Sequence, residues 1–169
     1  SSDNSAADAG AAYVFVRNGS TWSQQAYLKA ANAGAQDYFG TYVSVSGDTI
    51  VVGAVHEDSN QTTITNGSSA SSDNSVENTG AAYVFIRNGT TWSQEAYLKA
   101  PNAGANDYLG FSVSISDDTI VVGARGEDSN QTSITNGSSA SNDNSAADAG
   151  AAYVFIRNGS SWTQQAYLK

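Results

Sequence analysis

The chain repeats itself with a period of 70 residues. Residues 30–99 and residues 100–169 are identical at 51 of 70 positions, and the segment 10–19 returns at 80–89 and at 150–159. Self-similarity at a fixed long period is typical of repeat architectures, in which each unit buries its apolar face against its neighbours. The chain holds about 2.4 such units. We therefore expect a piece of a longer array, or a part of an oligomer.

One repeat contains four short segments with the pattern of β-strands. Residues 39–46 alternate apolar and small polar side chains, which predicts a strand with one polar face. Residues 49–54 and 81–86 are apolar on both faces, as in strands that are covered on both sides. Asn88-Gly89 is typical of a tight hairpin turn, and a fourth strand follows over residues 92–99. The pattern predicts an antiparallel meander without helices.

A repeated four-stranded unit of this size is typical of the blade of a β-propeller. We expect an all-β fold of four-stranded antiparallel β-propeller blades, with ten strands in total. In this interpretation residues 1–29 form a partial blade that supplies only the third and fourth strands, and residues 30–99 and 100–169 each form a full blade. A ring needs typically 4–8 blades, so we do not expect this chain to close a ring alone.

A combination of short motifs resembles the FG-GAP repeat of integrin-α-type β-propellers, especially the secreted bacterial and archaeal forms. The matching residues are Phe39-Gly40 with Val52-Gly53-Ala54, their counterparts Leu109-Gly110 with 122–124, and the downstream Gly-Ala-Ala-Tyr-Val-Phe of each repeat. The resemblance implies an extracellular or cell-surface protein that acts in adhesion or ligand binding.

The chain departs from the integrin-type pattern in two ways. Val55 and Arg125 replace the proline of the Gly-Ala-Pro motif. The acidic calcium hairpin between the first two strands of a blade is also absent, because that turn is only Ser-Gly-Asp or Ser-Asp-Asp. The integrin type of calcium site is therefore not expected here.

The charge of the chain excludes some classes of partner. The formal net charge is −9, with 16 acidic and 7 basic residues, and the basic residues do not cluster. We expect no nucleic-acid partner and no anionic membrane surface. No apolar run approaches the ~18 residues that cross a bilayer, so no membrane insertion is expected. The abundance of Ser, Thr, Asn and Gly favours an extracellular or cell-surface location.

Acidic residues concentrate in the long loop 57–80 and in its counterpart in the next repeat. If the loop folds back on itself, its carboxylates could supply oxygen ligands to one Ca²⁺, which takes 6–8 oxygens. The alternative is a solvated loop in which Asp and Asn form Asx-turns and caps. The candidate ligands are Glu57, Asp58 and Asp73 for one site and Glu127, Asp128 and Asp143 for a second; Asp73-Asn74 also recurs as Asp3-Asn4.

Asn-x-Ser/Thr triplets are dense and give candidate glycosylation sites on exposed turns and loops. Repetition in a chain rich in Asn, Ser and Thr also produces such triplets by chance, and Asn-Gly turns have a conformational reason of their own. The candidates are Asn18, Asn60, Asn66, Asn88, Asn130, Asn136 and Asn158.

The sequence contains no set of residues that indicates catalysis. The one histidine, His56, is matched by Gly126 in the next repeat, which favours a loop residue over a catalytic one. The recurrent Trp and Tyr of the fourth strand could stack on carbohydrate, but their regular recurrence favours packing between blades. We therefore expect no enzyme.

Two functions remain open at this point. One is an extracellular β-propeller for adhesion or ligand binding, with a protein or a glycan as its partner. The other is a structural subunit of a filament, stalk or surface layer, in which the partner is a neighbouring repeat or chain.

Overall fold

The computed structural model describes residues 5–169, and this part of the chain contains β-strands and no helix. Its strands form three antiparallel sheets, one with two strands and two with five strands each. The predictions of an all-β fold and of propeller blades are confirmed. The strands are β1 (Ala12–Asn18), β2 (Thr21–Leu28), β3 (Val43–Ser46), β4 (Thr49–Ala54), β5 (Thr65–Asn66), β6 (Ala81–Asn88), β7 (Thr91–Leu98), β8 (Leu109–Ser116), β9 (Thr119–Ala124), β10 (Thr135–Asn136), β11 (Ala151–Asn158) and β12 (Ser161–Leu168).

Each five-stranded sheet is a four-stranded meander with one short strand added at its outer edge. The order is β3-β4-β6-β7-β5 in one sheet and β8-β9-β11-β12-β10 in the other. The added strand comes from the long loop, where Thr65 lies opposite Tyr97 and Asn66 lies opposite Ala96. A strand of two residues is too short to produce a period-2 pattern, so the sequence predicted ten strands where the described residues form twelve.

The first strand of the middle blade is shorter than its pattern predicts. It begins at Val43 instead of Phe39, and Phe39 forms an isolated parallel bridge with Gly10, which precedes β1. The equivalent strand β8 does begin at Leu109, which makes the same kind of bridge with Gly80.

Burial of the strands follows the stacking of the blades. All six residues of β4 are buried, since the middle sheet has a neighbour on each face. The equivalent strand β9 alternates between buried and exposed residues, because its sheet is covered on one face within the described residues. The apolar-on-both-faces pattern of the sequence is therefore a pattern of blade packing.

Consecutive blades are joined through their backbones. The amides of the Asn-Asp-Tyr-Leu segment at the start of the third blade donate hydrogen bonds to carbonyl oxygens of the middle blade, and the middle blade bonds to the first in the same way. The bonds are Asn106 to Glu77 (2.9 Å), Tyr108 to Asn78 (3.0 Å) and Leu109 to Thr79 (3.0 Å), repeated as Gln36 to Ala7 (2.7 Å), Tyr38 to Asp8 (3.2 Å) and Phe39 to Ala9 (3.1 Å).

Glycine is required where these backbones meet. Gly80 has φ +76°, and a Cβ atom there would lie 2.2 Å from the carbonyl oxygen of Leu109. Gly110 has φ +91°, and a Cβ atom there would lie 2.4 Å from the carbonyl oxygen of Ala81. The glycines of the repeat motif thus let two blades approach more closely than any side chain permits.

We predict that Gly110→Ala destabilises the protein far more than Gly137→Ala. The two residues have almost the same φ, +91° and +92°, but a Cβ atom at Gly137 meets nothing within 4 Å. Both variants incur a conformational cost of about 1–2 kcal/mol, and only Gly110→Ala adds an overpacking cost of about 1–3 kcal/mol. Denaturant unfolding of both variants measures the difference; equal losses would contradict the role of the close approach.

Candidate functional site

Glu57 is the centre of a buried polar cluster in the middle blade. Its side chain is 1% exposed, and its Oε2 accepts hydrogen bonds from Lys99 Nζ (2.9 Å) and from the Ser59 amide (3.2 Å). Its Oε1 accepts from the Tyr97 hydroxyl (2.7 Å) and from Asn32 Nδ2 (3.0 Å). Both carboxylate oxygens are therefore occupied by donors of the protein itself.

Lys99 connects this carboxylate to the joint between blades. Its ammonium group also donates to the Thr79 hydroxyl (2.5 Å) and to the carbonyl oxygen of Gly80 (2.8 Å). Burial lowers the pKa of Lys99, and the charge of Glu57 opposes that shift. Burial also raises the pKa of Tyr97 far above its ordinary value, so its hydroxyl stays a donor. The cluster is a buried ion pair with its hydrogen bonds completed.

The third blade repeats the cluster around Glu127. This carboxylate accepts hydrogen bonds from Lys169 (2.7 Å), Tyr167 (2.9 Å), Asn102 (2.9 Å) and the Ser129 amide (3.2 Å). Burial raises the pKa of Tyr167 to about 12. The recurrence in two blades indicates that this arrangement is part of the repeat itself.

The three candidate calcium ligands of the middle blade have separate partners. Asp58 Oδ1 accepts a hydrogen bond from the Asn78 amide (2.7 Å). Asp73 accepts from the amide (2.7 Å) and the hydroxyl (2.9 Å) of Ser75, and the hydroxyl bond is the main cause that lowers the pKa of Asp73. Within residues 5–169, no three His, Cys, Asp or Glu side chains converge as a metal site would need.

The candidate ligands of the third blade are arranged in the same way. Asp128 accepts a hydrogen bond from the Asp148 amide (2.8 Å), and Asp143 accepts from the amide (3.2 Å) and hydroxyl (3.0 Å) of Ser145. The recurrence Asp3-Asn4 lies outside the described residues. The bonds of Asp73 and Asp143 to a serine two residues later are those of Asx-turns, whereas those of Asp58 and Asp128 join residues 20 apart. The calcium site stays a prediction.

All seven candidate glycosylation asparagines are exposed. Asn66 differs from the others because its side chain binds the backbone of the next blade. Its Oδ1 accepts from the Trp162 amide (2.7 Å), and its Nδ2 donates to the Trp162 carbonyl oxygen (3.3 Å). A glycan on Asn66 would compete with this contact, whereas Asn18, Asn88 and Asn158 lie at hairpin turns. Glycosylation stays a prediction.

The fourth-strand aromatics pack between blades where a preceding blade is present. Trp162 is fully buried, and its Nε1 donates to Glu95 of the middle blade (2.9 Å). Trp92 donates in the same way to Gln25 (2.8 Å). Trp22 is 64% exposed. The packing interpretation therefore describes the second and third blades.

A patch of rings and one guanidinium group lies at the loops that join the blades. The ring of His56 lies between Tyr38 and Tyr108, with centroid distances of 4.8 Å and 5.5 Å. Arg125 lies over the rings of Tyr108 (5.3 Å) and Phe111 (5.1 Å). We call these residues, together with Tyr42, which lies 5.4 Å from Phe111, the aromatic surface.

The aromatic surface has the chemistry of a binding site. Tyr38 and Tyr42 are 39% and 37% exposed, and Arg125 is also exposed. Exposed tyrosine rings can stack on the apolar face of a sugar or pack against a protein side chain. The guanidinium group donates to carboxylate or hydroxyl oxygens, and its position over two rings holds its plane.

The positions at which the repeats differ give an indication of this surface in the sequence. The two full repeats differ at 19 of 70 positions, and these include four pairs of corresponding residues at this surface. The pairs are Thr41 and Phe111, Tyr42 and Ser112, Val55 and Arg125, and His56 and Gly126. The absence of His56 from the next repeat favours a loop residue; His56 does lie in a turn, and its ring contacts both Tyr38 and Tyr108.

Asp107, whose carboxyl group is buried, precedes Tyr108 of the aromatic surface in the sequence. Burial raises the pKa of Asp107 to about 6, although the Gly104 amide donates a hydrogen bond (2.7 Å) that opposes the shift. The charges of Glu127 and Asp128 raise the pKa further, and the charge of Lys99 lowers it. The equivalent Asp37 in the middle blade also has a pKa of about 6, mainly through burial.

Each blade is a sheet of antiparallel strands, and consecutive blades are joined by backbone contacts at glycines. This architecture defines the chain as a β-propeller repeat protein. The FG-GAP repeat family model matches residues 22–85 and 92–139. The chain therefore belongs to the FG-GAP repeat family. No curated protein matches the chain. Within residues 5–169, no helix is long and apolar enough to cross a membrane.

We predict that Glu57→Gln lowers the free energy of unfolding by about 3–5 kcal/mol, because it leaves the Lys99 ammonium group buried without a counter-charge. Since this role needs no metal, the loss should be equal in EDTA and in about 1 mM CaCl₂. Glu77→Gln, at an exposed acid of the same loop, is the matched control. Denaturant unfolding in both buffers is the measurement.

The same experiment tests the calcium prediction. A calcium site raises the free energy of unfolding of the unchanged protein in CaCl₂ relative to EDTA. A loss from Glu57→Gln that appears only with calcium would contradict the ion-pair role and favour Glu57 as a ligand.

We predict that Asp107→Asn stabilises the protein at pH 8 by on the order of 1 kcal/mol after allowance for solvent screening. Burial raises the pKa of Asp107 from its ordinary value of 3.8 to about 6 in the folded state. Its contribution to stability is therefore fully present below pH 3.8 and is lost as the pH rises through 6. The advantage of the variant should shrink as the pH falls to 5.

Thermal unfolding from pH 5 to pH 8 measures this effect. The exposed residue Asp117, where Asn also tolerates the positive φ of 50°, supplies the control Asp117→Asn. A gain from Asp107→Asn that is independent of pH would contradict the assignment.

Proposed function

We propose that this chain is a non-enzymatic, extracellular or cell-surface FG-GAP β-propeller repeat protein that binds a protein or glycan through its loops. FG-GAP repeats are typical of extracellular and surface proteins, and the composition of the chain agrees with that location. The blades supply the rigid scaffold on which binding loops usually lie.

The observation that carries the proposal is the aromatic surface. It draws residues from two consecutive blades, so its shape depends on how the blades are joined. His56 fills the space between Tyr38 and Tyr108, whereas at Gly126 a Cβ atom would lie 2.1 Å from the carbonyl oxygen of Asn106. Two otherwise similar repeats thus present different side chains at the same place, as a binding protein with a specific ligand requires.

Electrostatics favours a ligand that carries a carboxylate or hydroxyl groups. The chain as a whole is acidic, with a net charge of −9, but Arg125 is exposed at the aromatic surface and His56 lies beside it. An acidic ligand is repelled by most of the protein and attracted only where a cation is exposed. Arg125 therefore supplies specificity, and the exposed tyrosines supply contact area.

The second candidate is a structural role in an extracellular assembly. The observation that favours it is the equivalence of the two joints between blades, each of which uses three backbone hydrogen bonds at corresponding positions. A joint that repeats without change can be extended to further blades or chains. Calcium and glycans would modify either role and stay predictions here.

We predict that the protein binds members of a glycan array or an extracellular-protein array, and that Arg125→Ala and Tyr38→Ala weaken this binding about tenfold or more. Ile134→Ala, at a hydrophobic residue that is 61% exposed on the long loop of the third blade, should leave it unchanged. Each variant must keep the melting temperature of the unchanged protein.

The outcome separates the two candidates. Equal binding by all three variants would contradict the aromatic surface as the site. Filaments in negative-stain micrographs, together with no ligand on either array, would favour the structural role instead.

A further inference from the structure

Each of the two full blades brings a lysine amine and an asparagine carboxamide onto the same buried carboxylate. In the middle blade Glu57 Oε2 accepts a hydrogen bond from Lys99 Nζ (2.9 Å), and Glu57 Oε1 accepts from Asn32 Nδ2 (3.0 Å). We call these three residues the first triad. The buried ion pair accounts for the lysine and the glutamate, but it does not account for a carboxamide that shares the carboxylate.

The third blade repeats the arrangement atom for atom. Glu127 Oε2 accepts from Lys169 Nζ (2.7 Å), and Glu127 Oε1 accepts from Asn102 Nδ2 (2.9 Å). These residues form the second triad. Its recurrence shows that the carboxamide belongs to the repeated site as much as the two charged groups do.

The lysine of the first triad lies where a neutral amine is favoured. Lys99 is 1% exposed, and burial lowers its pKa, although the charge of Glu57 opposes that shift. In a buried site, transfer of one proton from the ammonium group to the carboxylate replaces two charges by two neutral groups. The neutral amine has a free electron pair and is a nucleophile.

The asparagine of the first triad has the features of an electrophile. Its Oδ1 accepts a hydrogen bond from the Tyr83 hydroxyl (2.6 Å), and burial raises the pKa of Tyr83, so that the hydroxyl stays a donor. A donor at this oxygen stabilises the negative charge that forms there when a nucleophile adds to the carbon. Tyr153 donates to Asn102 Oδ1 at the same distance of 2.6 Å.

The surroundings of the first triad exclude most water. Tyr83 and Tyr97 are fully buried, and their ring centroids lie 5.2 Å apart. A site without water protects a reactive intermediate from hydrolysis. Asn32 is only partly buried, which leaves a small leaving group a path to solvent.

We propose that each triad forms an isopeptide bond, an amide between the lysine Nζ and the asparagine Cγ, with the glutamate as the catalytic residue that moves the protons. The bond joins Lys99 to Asn32 in the middle blade and Lys169 to Asn102 in the third blade. All reacting groups belong to the folded chain. None of them belongs to the aromatic surface, so this proposal stands or falls separately from the proposed function.

The reaction balances within the triad and releases one ammonia molecule. Glu57 takes a proton from Lys99, and the amine electron pair then forms a bond to Asn32 Cγ while the carbonyl electron pair moves onto Oδ1. This step requires Nζ to approach Cγ to about 3–3.5 Å, and the flexible stem of Lys99 allows the approach.

The intermediate then breaks down to the amide. Glu57 gives its proton to Asn32 Nδ2 and takes a second proton from Nζ. The C=O bond forms again, and the Cγ–Nδ2 bond breaks with its electron pair on the nitrogen, which leaves as ammonia. The products are the new amide, ammonia and a neutral Glu57 carboxyl group, so no unpaired charge stays buried.

The bond closes each blade on itself. Asn32 precedes β3 and Lys99 follows β7, so one bond connects the beginning of the middle blade to its end. Only Ala100 and Pro101 lie between Lys99 and Asn102. A pulling force on an array of such blades therefore passes through the isopeptide bonds and the short segments between them, and it bypasses the hydrogen bonds of the strands.

Intact mass spectrometry of the purified full chain detects the bond. We expect a mass below that of the sequence by about 17 Da for each bond, the mass of one ammonia molecule. Trypsin does not cleave after an acylated lysine, so the digest should contain residues 30–87 linked to residues 88–125. Fragmentation of the linked peptides should place the link at Asn32 and Lys99.

A Glu57→Gln variant tests the catalytic residue, because it keeps the amine and the carboxamide and removes the group that moves the protons. It should lose the bond of the middle blade and keep that of the third, so that the mass deficit falls by about half. Asn60→Ala, at an exposed asparagine of the same loop, is the matched control and should keep both bonds.

Circular dichroism shows whether each variant is folded. If Glu57→Gln is not, Asn32→Ala supplies the same test, since it removes the carboxamide and leaves the ion pair of Lys99 and Glu57 in place. A purely structural ion pair produces no link in any of these chains.

Three results would overturn the proposal. The first is a folded chain that keeps the full mass of its sequence after long incubation at neutral pH. The second is a mass deficit without linked peptides that reacts with hydroxylamine, because Asn-Gly turns lose ammonia when they form a cyclic imide. The third is a folded Glu57→Gln variant that forms the link as completely as the unchanged chain.

Discussion

The close contact between the backbones of consecutive blades is the constraint on which the other features depend. Gly80 and Leu109 form a parallel bridge at a distance that excludes a Cβ atom. The contact fixes how far apart two blades lie, but it also places the carbonyl oxygen of Gly80 in the interior, where it needs a donor. Lys99 is that donor, and because its charge is buried it needs Glu57. Gly80, Lys99 and Glu57 therefore depend on one another structurally, although they are far apart in the sequence.

The pairing of Glu57 with Lys99 is not visible in the sequence, where Glu57 is predicted as a calcium ligand. An acidic pair in a polar loop is typical of a metal site, and the distance of 42 residues to Lys99 gives no periodic pattern that would link the two. The strands were predictable, since alternation and turn residues are local properties. The fold-back that buries Glu57 and pairs Thr65 with Tyr97 is a tertiary property. Local patterns thus predict the strands of each blade, whereas the buried ion pair and the added short strand are visible only in the structure.

The same distinction applies to the aromatic residues. Tyr97 and Trp162 recur with the repeat and are buried, because each blade must cover its neighbour. Tyr38 and Tyr108 also recur, yet they lie at the surface, where their contacts involve His56 and Arg125, which do not recur. Recurrence alone therefore does not separate packing from binding. What separates them is whether the neighbours of a recurrent residue recur as well.

The repeats are identical at some positions and differ at others, and the two kinds of position are under different physical constraints. An identical residue such as Gly110 is confined by a backbone contact that tolerates no side chain. Phe111, the residue that follows it, is free to vary because its side chain points to the surface and contacts Arg125 and Tyr42. A rigid joint next to a variable surface lets a repeat protein change its ligand without changing how its blades assemble. In this chain Gly110 of the rigid joint and Phe111 of the aromatic surface are neighbours in the sequence.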